Sequence, residues 1–177
     1  MKKCTDSDLI DRARNGDHLS YAALVDCHYM TVYRYAFKWC RCKEDAEDIT
    51  QEVFIRLVDK IQLFDGRAKF TTWLYRLTAN CAKDYARKSN RWMDRKLPDP
   101  PDYEASPSAN PGPEDTIITK SILTVIDLLP DKLKEAVLLI YAEGLNHKEA
   151  AEVIGCAETT VSWRIYQAKR KLRKILS

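Results

Sequence analysis

A proline-rich segment divides this chain into two parts. Six of the seven prolines lie in the stretch LPDPPDYEASPSANPGP, residues 97–113. Proline fixes the backbone φ angle and lacks a backbone N–H donor, so such a segment forms neither a helix nor a central strand. We therefore predict two modules, residues 1–95 and 116–177, joined by an extended and flexible acidic linker over residues 96–115.

Charge is distributed unevenly over these three parts. Residues 1–95 carry 18 basic and 14 acidic side chains, residues 96–115 carry one and five, and residues 116–177 carry ten and seven. Two basic modules beside an acidic strip are compatible with nucleic-acid binding, although average charge is weak evidence by itself. Local clustering says more, and one short basic run comprises Arg164, Lys169, Arg170, Lys171, Arg173 and Lys174.

The sequence predicts a cytoplasmic protein without membrane insertion. No apolar run approaches the roughly 20 residues that a membrane helix needs. The first residues, MKKCTDSD, become acidic at once and are followed by no apolar stretch, which argues against a secretory signal.

Apolar residues recur at three- and four-residue spacing in both modules, which predicts an all-α fold. We expect four helices in the first module. Thr5 or Ser7 caps the first and Ser20 caps the second. The third runs from about residue 44 to residue 61, and the fourth starts near Thr71.

The second module is predicted to hold four further helices. They cover residues 116–129, residues 131–143, a short helix that Asn146 opens and Gly155 ends, and residues 158–176. Asn146 and Glu149 have the spacing of a capping box.

The last two predicted helices have the proportions of a helix-turn-helix that binds DNA. Ala151 is small where the helices cross, and Gly155 suits the tight turn between them. Burying an apolar stripe on the final helix leaves hydroxyl, amide, aromatic and cationic groups outside, which suits readout of the major groove and phosphate contacts. An ordinary helical hairpin with a solvated basic face is the alternative. The outward set is Thr159, Thr160, Ser162, Trp163, Arg164, Tyr166, Gln167 and Arg170.

Five acidic residues open the third helix, within EDAEDITQEVF, residues 44–54. The helix dipole favours acidic residues at this end, so a charged helix N-terminus without any binding role is the alternative interpretation. Asp48, Gln51 and Glu52 nevertheless share a polar face, and we expect Phe54 to be exposed beside it. An acidic face with an aromatic anchor indicates a protein partner.

The fourth helix combines aromatic and basic residues. Arg76, Asn80, Lys83 and Arg87 lie on one face at helical spacing. Aromatic rings among cations suit unstacked bases, because the bases stack on the rings while cations pair with phosphates. The alternative is that the aromatic residues of this helix belong to the core, and for Trp73 we favour that interpretation.

No catalytic, metal or cofactor site is expected. The six cysteines include no C-x-x-C pair, and we interpret them as reduced thiols that pack as small apolar side chains, with a metal or redox sensor as the alternative. The three histidines are isolated, and no phosphate loop or nucleophile–base pair is visible. The sequence therefore predicts a protein that is not an enzyme and needs no cofactor.

The order of these motifs resembles the extracytoplasmic-function (ECF, group IV) sigma factors of the sigma-70 family. The resemblance covers about 90% of the chain. It rests on DxxQExF at residues 48–54, FxxWLxRLxxN at residues 70–80, the linker, LLP at residues 128–130, GLNHKEAA at residues 144–151 and TVxxRI at residues 160–165. It implies an alternative sigma factor that binds core RNA polymerase and directs promoter-specific transcription initiation. It also implies control by an anti-sigma factor.

The resemblance assigns roles to individual residues. Asp48, Gln51, Glu52 and Phe54 match the helix that docks on the clamp coiled coil of the largest polymerase subunit. The loop 62–69 with Asn80 matches the part that captures a flipped base of the −10 single strand. The −10 set is Phe64, Asp65, Gly66, Arg76, Asn80, Lys83 and Arg87.

The same resemblance makes the final helix the reader of the −35 duplex, and the linker would run toward the RNA exit channel. Thr159, Trp163 and Gln167 stand where relatives often carry Gly, Ser and Arg, so the promoter sequence of a relative cannot be transferred. A sigma-like mimic that sequesters an anti-sigma factor without binding promoters is the alternative. Such a mimic should lose the basic groups of both modules, and this chain keeps them.

Overall fold

A computed structural model of the chain describes residues 6–89 and 123–176. The chain divides into two compact units, residues 1–90 and 91–177. Every regular element in the described ranges is helical. The all-α fold class predicted from the sequence is thereby confirmed, whereas the linker 96–115 lies outside the described residues.

The first unit contains four α-helices. They are α1 (Asp6–Arg14), α2 (His18–Cys40), α3 (Lys43–Lys60) and α4 (Phe70–Ser89), with a single 3₁₀ turn at Ile61–Leu63. Helix α2 packs against each of the other three. Its central position explains why even large aromatic side chains on it, Tyr35 and Trp39, are almost fully buried.

One predicted helix start in this unit was wrong. Asp17, not Ser20, caps α2: its carboxylate accepts hydrogen bonds from the backbone N–H groups of Leu19 and Ser20. The Ser20 hydroxyl also donates to Asp17, which holds the pKa of that carboxyl below its usual value. Ser7 lies inside α1 and cannot cap it, and Thr5 is outside the described residues.

The second unit contains the described helical residues 123–127, here α5, followed by α6 (Asp131–Val137), α7 (His147–Ile154) and α8 (Glu158–Leu176). Helix α6 continues into a π-helical turn, Leu138–Ala142, where an unbroken α-helix was expected. The predicted residues 116–122 of α5 lie outside the described ranges. Lys134 joins α5 to α6, with its Nζ 2.6 Å from Asp127 Oδ1.

The turn between α7 and α8 follows the sequence prediction closely. Asn146 and Glu149 form the reciprocal capping box at the start of α7. Gly155 ends α7 in the left-handed conformation, with φ of 75°, and its N–H donates to the carbonyl of Ala151. This turn sets the path on which α8 leaves α7.

Replacing Gly155 by alanine is expected to destabilise the second unit. The new methyl group would meet no heavy atom within 4 Å, so the cost is backbone strain alone, about 1–2 kcal/mol for an L-residue in this conformation. Calorimetry of the full chain should show the Tm of that unit lowered by roughly 4–8 °C per kcal/mol. Gly155→Asn is the matched control, because asparagine tolerates a left-handed backbone better. Equal Tm values for wild type and Gly155→Ala would contradict the argument.

Candidate protein-docking and nucleic-acid interfaces

Helix α8 presents a continuous outward face built from its unburied residues. Val161, Ile165 and Ala168 are buried against the rest of the unit. Trp163 and Tyr166, in contrast, remain 58% and 62% exposed. Large aromatic side chains held in solvent beside hydroxyl groups are unusual on a monomer surface and indicate a binding surface.

The structure places the eight residues predicted for this face in two groups. Five are exposed: Thr159, Ser162, Trp163, Tyr166 and Arg170. Thr160, Arg164 and Gln167 are only partly exposed. Arg164 has one guanidinium nitrogen, Nη1, that is buried and hydrogen-bonds to none of the described residues.

The basic run at the end of α8 is less uniform than its sequence implies. The Lys169 ammonium lies over the ring of Tyr141, 5.7 Å from its centroid. A cation over an aromatic face is attracted by the ring quadrupole, so part of this charge is engaged within the protein. Lys171, Arg173 and Lys174 are exposed at the surface and suit contacts with phosphates.

A groove of about 280 Å³ lies between α3 and α4, and we call it the α3–α4 groove. Its lining residues are Asp48, Ile49, Gln51, Glu52, Ile55, Arg56, Cys81, Asp84, Tyr85 and Lys88. The three polar residues predicted for a protein interface, Asp48, Gln51 and Glu52, therefore lie together on one surface.

Arg56 holds the two sides of this groove together. Its Nε lies 2.6 Å from Glu52 Oε1 on α3, and its Nη1 lies 3.0 Å from Asp84 Oδ2 on α4. Hydrogen bonds to Asp84 and Glu52 raise the pKa of Arg56, which stays charged. One cation shared by two carboxylates lowers the net negative charge of the groove and fixes the Glu52 side chain.

The phenol of Tyr85 spans the acidic start of α3. Its Oη lies 3.0 Å from Asp45 Oδ1 and 3.1 Å from Asp48 Oδ2. Partial burial and these hydrogen bonds to carboxylates raise the pKa of Tyr85 to about 12. The contact with Asp45 gives this almost fully buried carboxylate a hydrogen-bond donor.

The prediction that Phe54 is exposed was wrong. Phe54 is 8% exposed, and its ring stacks on Tyr29 of α2 with centroids 6.1 Å apart. The apolar residue that the groove presents to solvent is its neighbour Ile55, which is 63% exposed. At 3.6 residues per turn Phe54 lies beside the buried stripe of α3, where Tyr29 of α2 covers it, whereas Ile55 lies on the opposite side of the helix.

The loop between α3 and α4 carries an aromatic cluster. Phe64 makes edge-to-face contacts with Phe70 and Trp73, at centroid distances of 5.4 and 5.8 Å. The Arg14 guanidinium lies over Phe64 at 5.9 Å, which ties α1 to this loop. Trp73 is partly exposed, so it belongs to the rim of the cluster rather than to the deep core that we favoured.

A second groove, of about 490 Å³, lies between α1 and this loop. The predicted residues Phe64, Asp65 and Gly66 all line it. Asp65 is oriented locally, since its carboxylate accepts from the Arg67 N–H at 3.1 Å and pairs with the Arg67 side chain at 3.2 Å. The groove also contains residues of α1, which the sequence prediction did not include.

The predicted basic face of α4 is only partly available to a ligand. Arg76, Asn80 and Arg87 are exposed. The Lys83 ammonium, however, lies 5.9 Å from the ring centroid of Trp39 and is only partly exposed. None of these four lines the groove between α1 and the loop.

Two of the five cysteines in the described ranges are buried as the sequence predicted. Cys40 and Cys81 are buried, Cys42 and Cys156 are half-buried, and Cys27 is exposed. Burial raises the pKa of the Cys81 thiol to about 11, which keeps it protonated and unreactive.

Two family models match the chain, one in each unit. Sigma-70 region 2 matches residues 24–92, and Sigma-70, region 4 matches residues 119–172. The ECF RNA polymerase sigma factor SigW of Bacillus subtilis is 30% identical over 186 residues, 94% of this chain and 94% of its own length. The chain belongs to the ECF sigma factors of the sigma-70 family.

A longer relative and two solved structures extend this result. The ECF RNA polymerase sigma factor SigE of Mycolicibacterium smegmatis is 34% identical over 162 residues, and the match spans 89% of this chain but 62% of that protein. CnrH, solved with the cytosolic domain of CnrY, has a TM-score of 0.70 at 22% identity, with 97% of this chain and 96% of that chain covered. RpoE of Bartonella quintana, solved with the anti-sigma factor NepR, has a TM-score of 0.67 at 21% identity and covers 88% of this chain and 96% of its own. These structures share the fold.

This ECF sigma factor is an alternative sigma factor, a class of transcription initiation factor that recognises promoters together with RNA polymerase. In the described ranges no helix has both the length and the apolar character needed to span a membrane. Sequence reasoning missed two features of its surfaces: Ile55 at the α3–α4 groove and the contribution of α1 beside the loop. Ile55 could have been found from the sequence, because it is an apolar residue among polar ones on the outer face of α3.

Replacing Tyr85 by phenylalanine is expected to cost about 1 kcal/mol of unfolding free energy near pH 8, because Asp45 and Asp48 lose a hydrogen bond. Because the folded state raises the Tyr85 pKa from 10.0 to about 12, its contribution is complete below pH 10 and is lost as pH rises to about 12. Urea unfolding at both ends of this range measures the difference. A gap between wild type and Tyr85→Phe that is unchanged at high pH would contradict the assignment.

Proposed function

We propose that this ECF sigma factor divides its work among three surfaces. Module 1–95 binds core RNA polymerase through α3 and takes up the −10 single strand. Module 116–177 reads the −35 duplex with α8. The acidic linker 96–115 connects them along the RNA exit channel, where negative charge suits a basic tunnel.

The outward face of α8 is the observation that carries this proposal. Helix α8 follows the capped helix α7 and the left-handed Gly155, which is the geometry of a helix-turn-helix. The N-terminal half of α8 offers hydroxyl groups and exposed aromatic surfaces, which match base edges and thymine methyl groups. Exposed cations follow in its C-terminal half, where they would neutralise phosphates.

The α3–α4 groove supports docking on the polymerase. Asp48 and Gln51 line it, and Arg56 orients Glu52. Polar side chains held in fixed positions around one exposed apolar residue, Ile55, form the kind of centre that dominates protein interfaces. We therefore include Ile55 in this surface and assign to Phe54 the role of a buried support under it.

The groove between α1 and the loop supports capture of a −10 base. Phe64 offers an aromatic edge, and Asp65 offers a carboxylate that can accept from a base amino group. Arg76, Asn80 and Arg87 on exposed positions of α4 would hold the adjoining strand, with Lys83 joining them if it leaves Trp39.

The protein itself is not an enzyme in this proposal, because phosphodiester synthesis belongs to the polymerase. It acts in the cytoplasm with core RNA polymerase. We also propose control by an anti-sigma factor, since RpoE of Bartonella quintana shares this fold and was solved with the anti-sigma factor NepR. A mimic that only sequesters an anti-sigma factor would not need the exposed cations Lys171, Arg173 and Lys174 that α8 retains.

Transcription in vitro is the direct test. Purified protein added to core RNA polymerase should produce start sites, mapped by primer extension on a genomic template library, that core polymerase alone does not. A mimic would instead bind an anti-sigma factor and give only the core background. Absence of new start sites would refute promoter-specific initiation.

Two substitutions should separate the polymerase surface from the DNA surface. Ile55→Asp is expected to weaken core binding roughly tenfold, because it places a charge in the centre of the interface. Val58→Asp is the matched control: it makes the same change on the same helix at a residue that is 56% exposed and outside the α3–α4 groove. Fluorescence anisotropy with core polymerase measures both affinities.

Trp163→Ala is expected to leave core affinity unchanged and to reduce discrimination among −35 sequences. The reverse pattern, with core binding lost in Trp163→Ala and retained in Ile55→Asp, would show that the two surfaces are wrongly assigned.

A further inference from the structure

His147 of α7 contacts the DNA-facing side of α8. Its ring Nδ1 lies 2.8 Å from the hydroxyl oxygen of Ser162. The same hydroxyl oxygen lies 3.2 Å from the backbone carbonyl of Glu158, one turn earlier in α8. Ser162 is exposed, so this contact sits on the surface that α8 presents to a ligand.

Both hydrogen bonds can form at the same time in only one arrangement. A carbonyl oxygen only accepts, so the single proton of the Ser162 hydroxyl is donated to Glu158. His147 must then donate its Nδ1–H to the Ser162 oxygen. One lone pair of that oxygen then remains free on a side chain that is exposed. Ser162 is therefore presented as a hydrogen-bond acceptor, although serine alone can donate or accept.

The start of α7 keeps the imidazole in this position. His147 is the first residue of α7 and follows the capping residue Asn146 directly. Asn146 accepts from the Glu149 N–H at 2.9 Å, and the Glu149 carboxylate accepts from the Asn146 N–H at 3.1 Å. Because this box satisfies the free backbone donors, the ring is carried on a helix end that does not fray easily.

We propose that His147 is a positioning residue that makes Ser162 an acceptor, so that α8 selects a base pair offering an amino group in the major groove. Adenine N6 and cytosine N4 are the amino donors there, whereas guanine O6 and thymine O4 are acceptors that the Ser162 lone pair repels. The inference rests on the proposed reading of −35 duplex by α8. It adds the chemical class of base edge that one residue takes.

The direction of the hydrogen bond can be tested without DNA. Two-dimensional ¹⁵N–¹H spectra of the full chain report which ring nitrogen of His147 carries the proton. In spectra recorded at about pH 8.5, we expect the Nδ1–H form. The Nε2–H form would mean that Ser162 donates to the ring, and it would overturn the proposal.

Selection on a duplex library tests the consequence for recognition. The library is randomised over the −35 region and selected with holoenzyme made from each variant. Ser162→Ala should lose roughly fivefold to tenfold discrimination at one base pair, in favour of adenine or cytosine on one strand. His147→Phe, which keeps a ring but removes the donor, should lose discrimination at the same base pair. The double variant should lose no more than either single one.

His147→Asn and Lys171→Ala serve as controls. Asparagine places an amide N–H near the position of Nδ1 and should retain much of the preference. Lys171→Ala should weaken binding to all sequences alike, since a phosphate contact carries no base information.

The outcomes distinguish the positioning role of His147 from the proposed reading of the −35 duplex by α8. If Ser162→Ala changes the preference and His147→Phe does not, the positioning role is refuted while −35 reading by α8 stands. If Ser162→Ala, Trp163→Ala and Gln167→Ala all leave every preference unchanged, the proposed function of α8 is refuted and this inference with it.

Discussion

Burial of one stripe on each helix decides which residues can reach a ligand. With 3.6 residues per turn, the burial of Val161, Ile165 and Ala168 forces the residues between them outward on α8. The same constraint acts on α3, where Ala46, Ile49 and Val53 are fully buried and the groove-lining polar residues are what remains. The candidate interfaces on α3 and α8 are thus each the complement of a core stripe.

How much of the structure could be predicted depended on whether a feature was local. The capping box at Asn146, the left-handed Gly155 and the outward face of α8 each need information from a few neighbouring residues, and the sequence predicted all three. The burial of Phe54 needs the position of α2, whose Tyr29 stacks on its ring. Asp17 and Ser20 are both good caps, and their difference lies in where the preceding chain turns. Residue roles in polymerase and DNA binding stay predictions.

Charge counted along the sequence overstates the charge available at the surfaces. Arg56 compensates two acids at the α3–α4 groove, while Lys83 and Lys169 lie over aromatic rings. Such pairings are invisible to spacing rules, because most of them join residues far apart in sequence. They leave smaller and better-defined sets of exposed charges, acidic or polar on α3 and basic at the end of α8.

The π-helical turn at Leu138–Ala142 has an effect on α8 that its position in α6 does not suggest. A π turn accommodates one residue more than an α turn, which rotates the residues after it about the helix axis. Leu138 and Leu139 stay buried on one side of this turn, and Tyr141 emerges where its ring meets Lys169. The ring of a residue in this π turn thus engages one cation of α8, and the charge that α8 presents to solvent depends on the helix before it.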